Sequence, residues 1–161
     1  MRVTLIRHAE AGDDAPRDEV RALTVRGRKD ARRLGRALAR RGVRFTLIVT
    51  SPLVRAVQTA EIVAAAVGYR RAMPALDVLE PEAPASDVVA FLTTVADEES
   101  VALVAHEPIL SAVAGALTGK ARYPALRKTE ALRIRLPDGP QAPGVLRWRI
   151  DGGTGRRERL R

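Results

Sequence analysis

Three short runs of unbroken hydrophobicity constrain this 161-residue chain more than any other feature. They are Val3-Thr4-Leu5-Ile6, Phe45-Thr46-Leu47-Ile48-Val49-Thr50 and Val101-Ala102-Leu103-Val104-Ala105. A strand with one wet face alternates apolar and polar residues. A strand that is apolar at successive positions must be covered on both sides. Between the runs, apolar residues return at helical spacing: Ala31, Leu34, Gly35 and Leu38, then Ala56, Ala60, Val63 and Val67, and later Ile109, Leu110, Val113 and Leu117. This alternation predicts an α/β fold of three layers, a mainly parallel sheet with helices on both faces. The length suits one domain with a single sizeable core, over residues 1–152, followed by a basic tail, 153–161, that is expected to fray.

Local punctuation sets the element ends. Thr24 can cap a helix that Gly42 ends. Ser51-Pro52 can cap and open the next one, with Pro at its first position and Gly68 as its stop. Ala75 to Leu79 is a weaker strand candidate. Glu80-Pro81-Glu82-Ala83-Pro84 is a loop, given its two prolines. Ser86 or Asp87 caps a helix carrying Val88, Val89, Phe91, Leu92 and Val95. Pro108 opens a last helix and Gly119 closes it. Leu132 to Leu136 and Val145 to Ile150 read as an edge hairpin.

Each apolar run ends in chemistry. The first runs into Arg7-His8, the second into Ser51-Pro52 with Arg55 in the following turn, and the third into His106. The chain has two histidines, and both occupy this setting. In open α/β sheets ligands bind beyond the carboxyl ends of the strands. Two guanidiniums offer bidentate donors to phosphate oxygens, and an imidazole can attack as a neutral base. Helix N-termini add partial positive charge. The sum suits a phosphoryl group with an imidazole beside it. Taken singly, a histidine at a strand end can be an ordinary buried polar residue, and Arg55 a surface ion-pair residue. Two histidines flanked by arginines, with no convincing carboxylate set, make a poor metal site, so no metal or other cofactor is expected.

Composition narrows the classes. The chain has no cysteine, which excludes disulfides and thiolate catalysis. No apolar run approaches the roughly 20 residues of a bilayer span, and no signal peptide is visible, so a cytoplasmic protein away from membranes is expected. The net charge is +9, which suits an acidic or phosphorylated partner. Yet the only lysines are Lys29, Lys120 and Lys128, and an Arg- and Ala-rich composition of this kind also follows from a GC-rich genome. The helix face bearing Arg28, Arg32, Arg36 and Arg40 is a solvated surface or a docking face for an acidic partner. Few aromatics are available to stack on bases, so nucleic acid is not the expected partner.

The motifs also carry a resemblance. Leu5-Ile6-Arg7-His8-Ala9-Glu10-Ala11 resembles the Arg-His-Gly signature of the histidine phosphatase (phosphoglycerate mutase-like) superfamily. Leu23-Thr24-x-x-Gly27 is similar to the segment that follows it there. Ser51-Pro52-Leu53-x-Arg55-Ala56-x-Gln58-Thr59-Ala60 resembles the second arginine motif, and Val104-Ala105-His106-Glu107-Pro108 the second histidine motif. The short chain without a large insertion looks most like the SixA branch, the phosphohistidine phosphatases. The match runs in order over residues 1–120. Two positions depart from it: Ala9 stands for the usual Gly, and Glu107 for a neutral residue. A carboxylate at 107 would either hold His106 protonated or repel the phosphate.

The resemblance implies in-line attack by His8, with Arg7, Arg55 and His106 neutralising the phosphoryl oxygens and no metal needed. Arg21 is a further candidate substrate contact, with an ordinary surface role equally open. An alkoxide leaving group would need an acid, and Asp77, Glu80 and Glu82 are the nearby carboxylates. An imidazole, of pKa about 6.5, leaves more easily than an alkoxide. The expected activity is therefore hydrolysis of phosphohistidine in a protein. A small-molecule phosphomonoesterase using the same site is the alternative, and a phosphate-binding module without catalysis a third reading.

Overall fold

The computed structural model describes residues 1–159. The three apolar runs form β1 (Arg2–Arg7), β2 (Leu47–Thr50) and β3 (Ser100–Ala105). These lie parallel, with β3 between the other two. Beyond β1 come β4 (Glu130–Arg135), β5 (Val145–Asp151) and β6 (Arg157–Arg159), each antiparallel to its neighbour. The result is one six-stranded mixed sheet in the order β2-β3-β1-β4-β5-β6.

Four helices cover it: α1 (Val25–Arg40), α2 (Val54–Val67), α3 (Ala85–Thr94) and α4 (Ile109–Thr118). The unbroken hydrophobicity of the parallel strands has the expected cause. Val3 and Leu5 of β1 join Val101 and Leu103 of β3 in a core with Leu92 of α3 and Leu110 and Val113 of α4. Ile6 joins Ala102 and Val104 in a second core with Leu34 and Leu38 of α1 and Val63 of α2. Side chains still alternate across the sheet, but both faces are dry. Each such Leu or Val stabilises the fold by about 1.5 to 3 kcal/mol relative to exposure.

Several boundaries differ from expectation. Pro52 stays outside α2, which begins at Val54 with Leu53 as its cap residue. The Ser51 hydroxyl does accept the Leu53 N–H, at 3.3 Å, but it also meets His106. Ala75 makes only a single bridge, to Thr50, and Asp77–Leu79 turns into a short 3-10 helix instead of a strand. Only Leu79 of that turn is buried, which is too little to hold a strand on the sheet. Ser86 and Asp87 lie inside the first turn of α3, whose cap residue is Pro84. The late hairpin is β4–β5, but it is not the edge. Residues 157–159 of the basic segment pair with β5 instead of fraying, and Arg149 binds Glu158 at 2.7 Å. Positions 160 and 161 of that segment lie outside the described residues.

The start of α1 is fixed against the loop that carries the first motif. Thr24 Oγ1 accepts the Gly27 N–H at 2.9 Å, and the Thr24 N–H reaches the Glu10 carbonyl at 3.0 Å. A Cβ at position 27 would overlap the backbone oxygen of Glu10. Gly27 is thus required by close approach of two backbones. Gly27→Ala should cost about 1 to 3 kcal/mol, the usual penalty for overpacking, read as a lower urea midpoint.

Candidate active site

Sheet register brings the two histidines together. Arg7 pairs with Ala105 across β1 and β3, so His8 and His106 leave adjacent parallel strands at the same level. The His8 N–H is bonded to the Ala105 carbonyl at 2.9 Å, and the Ser51 N–H to the Val104 carbonyl at 2.9 Å. The imidazole centroids lie 4.9 Å apart with the rings tilted 53°. His8 is 8% exposed and His106 2%.

His8 Nδ1 lies 2.7 Å from the carbonyl oxygen of its neighbour Ala9. A carbonyl can only accept, so Nδ1 carries the proton and the lone pair sits on Nε2. The Ala9 N–H donates to Thr59 Oγ1 at 3.0 Å, and the Thr59 hydroxyl donates to the Arg55 carbonyl at 2.7 Å. Thr59 thereby joins the His8 loop to α2. Ala9 is absent from the left-handed region of φ, so a side chain there costs nothing. His106 Nε2 meets Ser51 Oγ at 2.8 Å, while its Nδ1 is buried without a partner.

The guanidiniums are held as firmly. Arg7 donates to the Leu126 carbonyl at 2.7 Å, and its Nε is buried and unpaired. Arg55 is buried on the first turn of α2 and donates twice to Asp18, to the backbone oxygen at 2.8 Å and to Oδ2 at 2.8 Å. The other carboxylate oxygen of Asp18 accepts from Arg21 at 3.0 Å. Arg21 also donates to Asp13 at 2.5 Å and to the Gly12 carbonyl at 2.8 Å. It therefore stands behind Asp18, joined to the site through that carboxylate. Hydrogen bonds from Arg21 and Arg55 hold the Asp18 carboxyl below the usual carboxylate range.

Both carboxylate oxygens of Glu107 bond to groups other than His106. Its Oε2 accepts from the Ser111 hydroxyl at 2.6 Å and the Ser111 N–H at 3.3 Å, in the first turn of α4. Its Oε1 accepts the Leu126 N–H at 2.8 Å. The same Leu126 peptide segment receives Arg7, so Glu107 positions the acceptor for that guanidinium. Asp77, Glu80 and Glu82 are exposed, and among the described residues none forms a side-chain hydrogen bond to the site.

Asp18, Ser51, Thr59 and Glu107 thus complete a constellation that sequence reasoning built from Arg7, His8, Arg55 and His106. Ser51 and Thr59 lay within a motif already singled out. Asp18 lay in a polar loop with no local signal, because its partner Arg55 is distant in sequence. An open cleft of about 610 Å³ runs beside Arg7, lined also by Glu10, Arg26, Arg127 and Lys128. Among the described residues, no three His, Cys, Asp or Glu side chains converge as metal ligands.

Burial is the main force on both imidazoles. It brings His8 down to about 4, with the Arg55 and Arg7 charges acting the same way against the Ala9 hydrogen bond. It brings His106 down to about 3, helped by the neighbouring His8 and Arg55. Both are neutral at pH 7, so the site combines neutral nitrogen bases with permanent guanidinium charge. That combination can bind an oxyanion and attack it.

Comparison with known proteins agrees with this geometry. The model of the histidine phosphatase superfamily (branch 1) matches residues 3–77. An uncharacterized protein of Picosynechococcus is 36% identical over 124 residues, 73% of each chain. The phosphohistidine phosphatase SixA of Escherichia coli is 26% identical over 152 residues, 93% of each chain. A solved structure of the protein histidine phosphatase SixA with tungstate superposes with a TM-score of 0.89 at 25% identity, covering 96% of this chain and 99% of that one. The mitochondrial serine/threonine-protein phosphatase Pgam5 of Drosophila pseudoobscura is 37% identical over 70 residues, and there the chain spans only 24% of the relative's length.

The lowered histidines link the site to stability. Each binds its proton more weakly in the folded chain than at the ordinary value of 6.5, so acid favours the unfolded state. Their contribution is complete above pH 6.5 and is lost as the pH falls through about 4 and about 3. The urea midpoint should therefore drop between pH 6.5 and 4, and His106→Phe should flatten that slope. Imidazole NMR signals titrating near 6.5 in the folded protein would remove the argument.

Proposed function

The chain belongs to the histidine phosphatase superfamily, a phosphatase by that membership, and we propose that the phosphoryl group it removes sits on a histidine of another protein. One observation carries this reading: beside the anion pocket, among the described residues, no uncommitted carboxyl group stands ready to protonate a leaving oxygen. Asp18 is claimed by Arg55 and Arg21, Glu107 by Ser111 and Leu126, and Glu10 lies 3.7 Å from Arg26. Asp77, Glu80 and Glu82 are in solvent. A phosphorylated imidazole has the least need of an acid, because its nitrogen leaves far more readily than an alkoxide. Likeness to SixA over 93% of each chain favours the same substrate class. A small-molecule phosphomonoesterase is the competing reading, favoured only if a carboxyl group proves to matter.

His8 Nε2 attacks phosphorus as the bond to the substrate nitrogen breaks on the opposite side. The departing imidazole takes its proton from water. Water then attacks the phosphohistidine enzyme, the bond between phosphorus and Nε2 breaks, and inorganic phosphate and free His8 are restored. Arg7 and Arg55 supply fixed positive charge to the oxygens, and Arg7 Nε and His106 Nδ1 are the unpaired buried nitrogens that an oxyanion would satisfy. For Arg55 this means sharing its guanidinium between Asp18 and the phosphoryl group. The arginines take the electrostatic role that a metal has in other phosphatases, and the reading invokes no metal. No helix among the described residues is long and apolar enough to cross a membrane. We take the cytoplasm as its place.

Enzyme quenched in alkaline detergent should carry acid-labile, base-stable phosphate, and His8→Ala should abolish it together with turnover. Arg55→Ala should lose about 2 to 4 kcal/mol of transition-state stabilisation and, in parallel, affinity for tungstate. Unchanged tungstate inhibition in that variant would put Arg55 outside the pocket.

Substrate class is read from the carboxylates. Glu80→Gln, Glu82→Gln and Asp77→Asn should each leave phosphohistidine hydrolysis within about threefold. A general acid is worth about 100-fold or more, so a loss of that size, with circular dichroism unchanged, would make the phosphomonoesterase reading the better one.

A further inference from the structure

The amino ends of the parallel strands hold a second concentration of charge. A cleft of about 620 Å³ opens there, at the end of the sheet away from His8, lined by Arg2, Arg133, Arg135, Arg147 and Arg157. The one carboxylate in its wall among the described residues is Glu99, which pairs with Arg2 at 3.0 Å. A smaller cavity of about 400 Å³ shares Arg2 and Arg133 and adds Arg41 and Arg44.

Arg133 is the unusual member. It occupies the middle of β4, where the sequence is otherwise apolar, and is only 7% exposed. Its guanidinium donates to the Thr4 hydroxyl at 3.3 Å and the Ser100 hydroxyl at 2.9 Å. No carboxylate pairs with it among the described residues. A biased composition accounts for arginines scattered on a surface. It does not account for one buried among like charges, because desolvating an unpaired guanidinium costs several kcal/mol. Burial and the Arg2 charge lower its pKa to about 10, which still leaves it cationic at neutral pH.

We propose that this cleft binds a small, multiply charged oxyanion of the oligophosphate class, with Arg133 at its base and the surrounding arginines on its walls. The volume is that of a small-ligand site. The indole of Trp148 is buried, with the guanidiniums of Arg133 and Arg157 each 5.7 Å from its centroid. Though it borders the cleft, its low exposure leaves little ring surface to a nucleobase, and recognition runs through charge. An acidic protein segment is disfavoured because Arg133 is recessed beneath the exposed arginines.

The test is calorimetric titration of the full chain with inorganic triphosphate at near-physiological salt, in an Arg55→Ala background to weaken the phosphatase site. Binding should persist in Arg55→Ala. Adding Arg133→Met should weaken it about tenfold or more, the worth of a charge-assisted hydrogen bond. Because Arg133→Met can perturb the core, the exposed pair Arg147→Ala and Arg157→Ala provides a second arm, expected to lose about tenfold as well. In the chain with Arg55 intact, that exposed pair should leave aryl phosphate turnover unchanged. Triphosphate binding that both cleft variants leave intact, or no binding at all, would overturn the proposal. So would a glutamate-rich peptide that binds the cleft as tightly as triphosphate, which would assign it to an acidic partner segment.

Discussion

Withdrawal of two imidazoles from water beside two guanidiniums is the constraint on which the rest of the structure depends. Four nitrogen-bearing side chains meet where, among the described residues, one carboxylate, Asp18, touches a guanidinium. Left in water, such groups would move apart. Here the strands that carry Arg7, His8 and His106 are buried on both faces, so none can retreat without opening the core. Uncharged partners do the remaining work of orientation: the carbonyls of Ala9 and Leu126 and the hydroxyls of Ser51 and Thr59. They fix each group without cancelling the positive potential that an anion would meet.

The two ends of the sheet solve the same electrostatic problem differently. At the carboxyl ends, Asp18 offsets Arg55 while the imidazoles shed their protons. At the amino ends, Arg133 has two hydroxyls and the Trp148 ring but, among the described residues, no carboxylate, and its charge cannot be shed at neutral pH. The first arrangement offsets one guanidinium with a carboxylate and leaves the other with a carbonyl. The second leaves a charge without a counterpart among the described residues, and this is why the cleft around it stands out from the many arginines elsewhere.

Much of the fold was legible because its cause is local. Apolar residues at successive positions of Val3–Ile6 and Val101–Ala105 require cover on both faces, and Gly68 and Gly119 end helices in the left-handed conformation that glycine adopts freely. The juxtaposition of Arg7, His8, Arg55 and His106 was legible because each ends or follows a strand or lies in the first turn of a helix. What escaped the sequence depends on partners far along the chain. Asp18 acquires meaning only beside Arg55, and Glu107 only beside Leu126. Residues 157–159 look like a fraying tail until β5 offers them an edge. Pro52 carried a helix-start signal, but the Ser51 hydroxyl is shared between Leu53 and His106, and α2 starts after Leu53.

One backbone detail reaches further than its size suggests. β1 ends at Arg7, yet the His8 peptide remains stitched on both sides: its N–H to Ala105 of β3, and its carbonyl to the Thr129 N–H at 3.2 Å, just before β4. The residue that would attack phosphorus is thus an unofficial seventh position of the central strand. Loops that carry catalytic groups usually fluctuate on their own and must be ordered by the substrate at each encounter. This backbone has no such freedom. Its ordering entropy is settled once, when the chain folds, and the site can loosen only by parting the middle of the sheet.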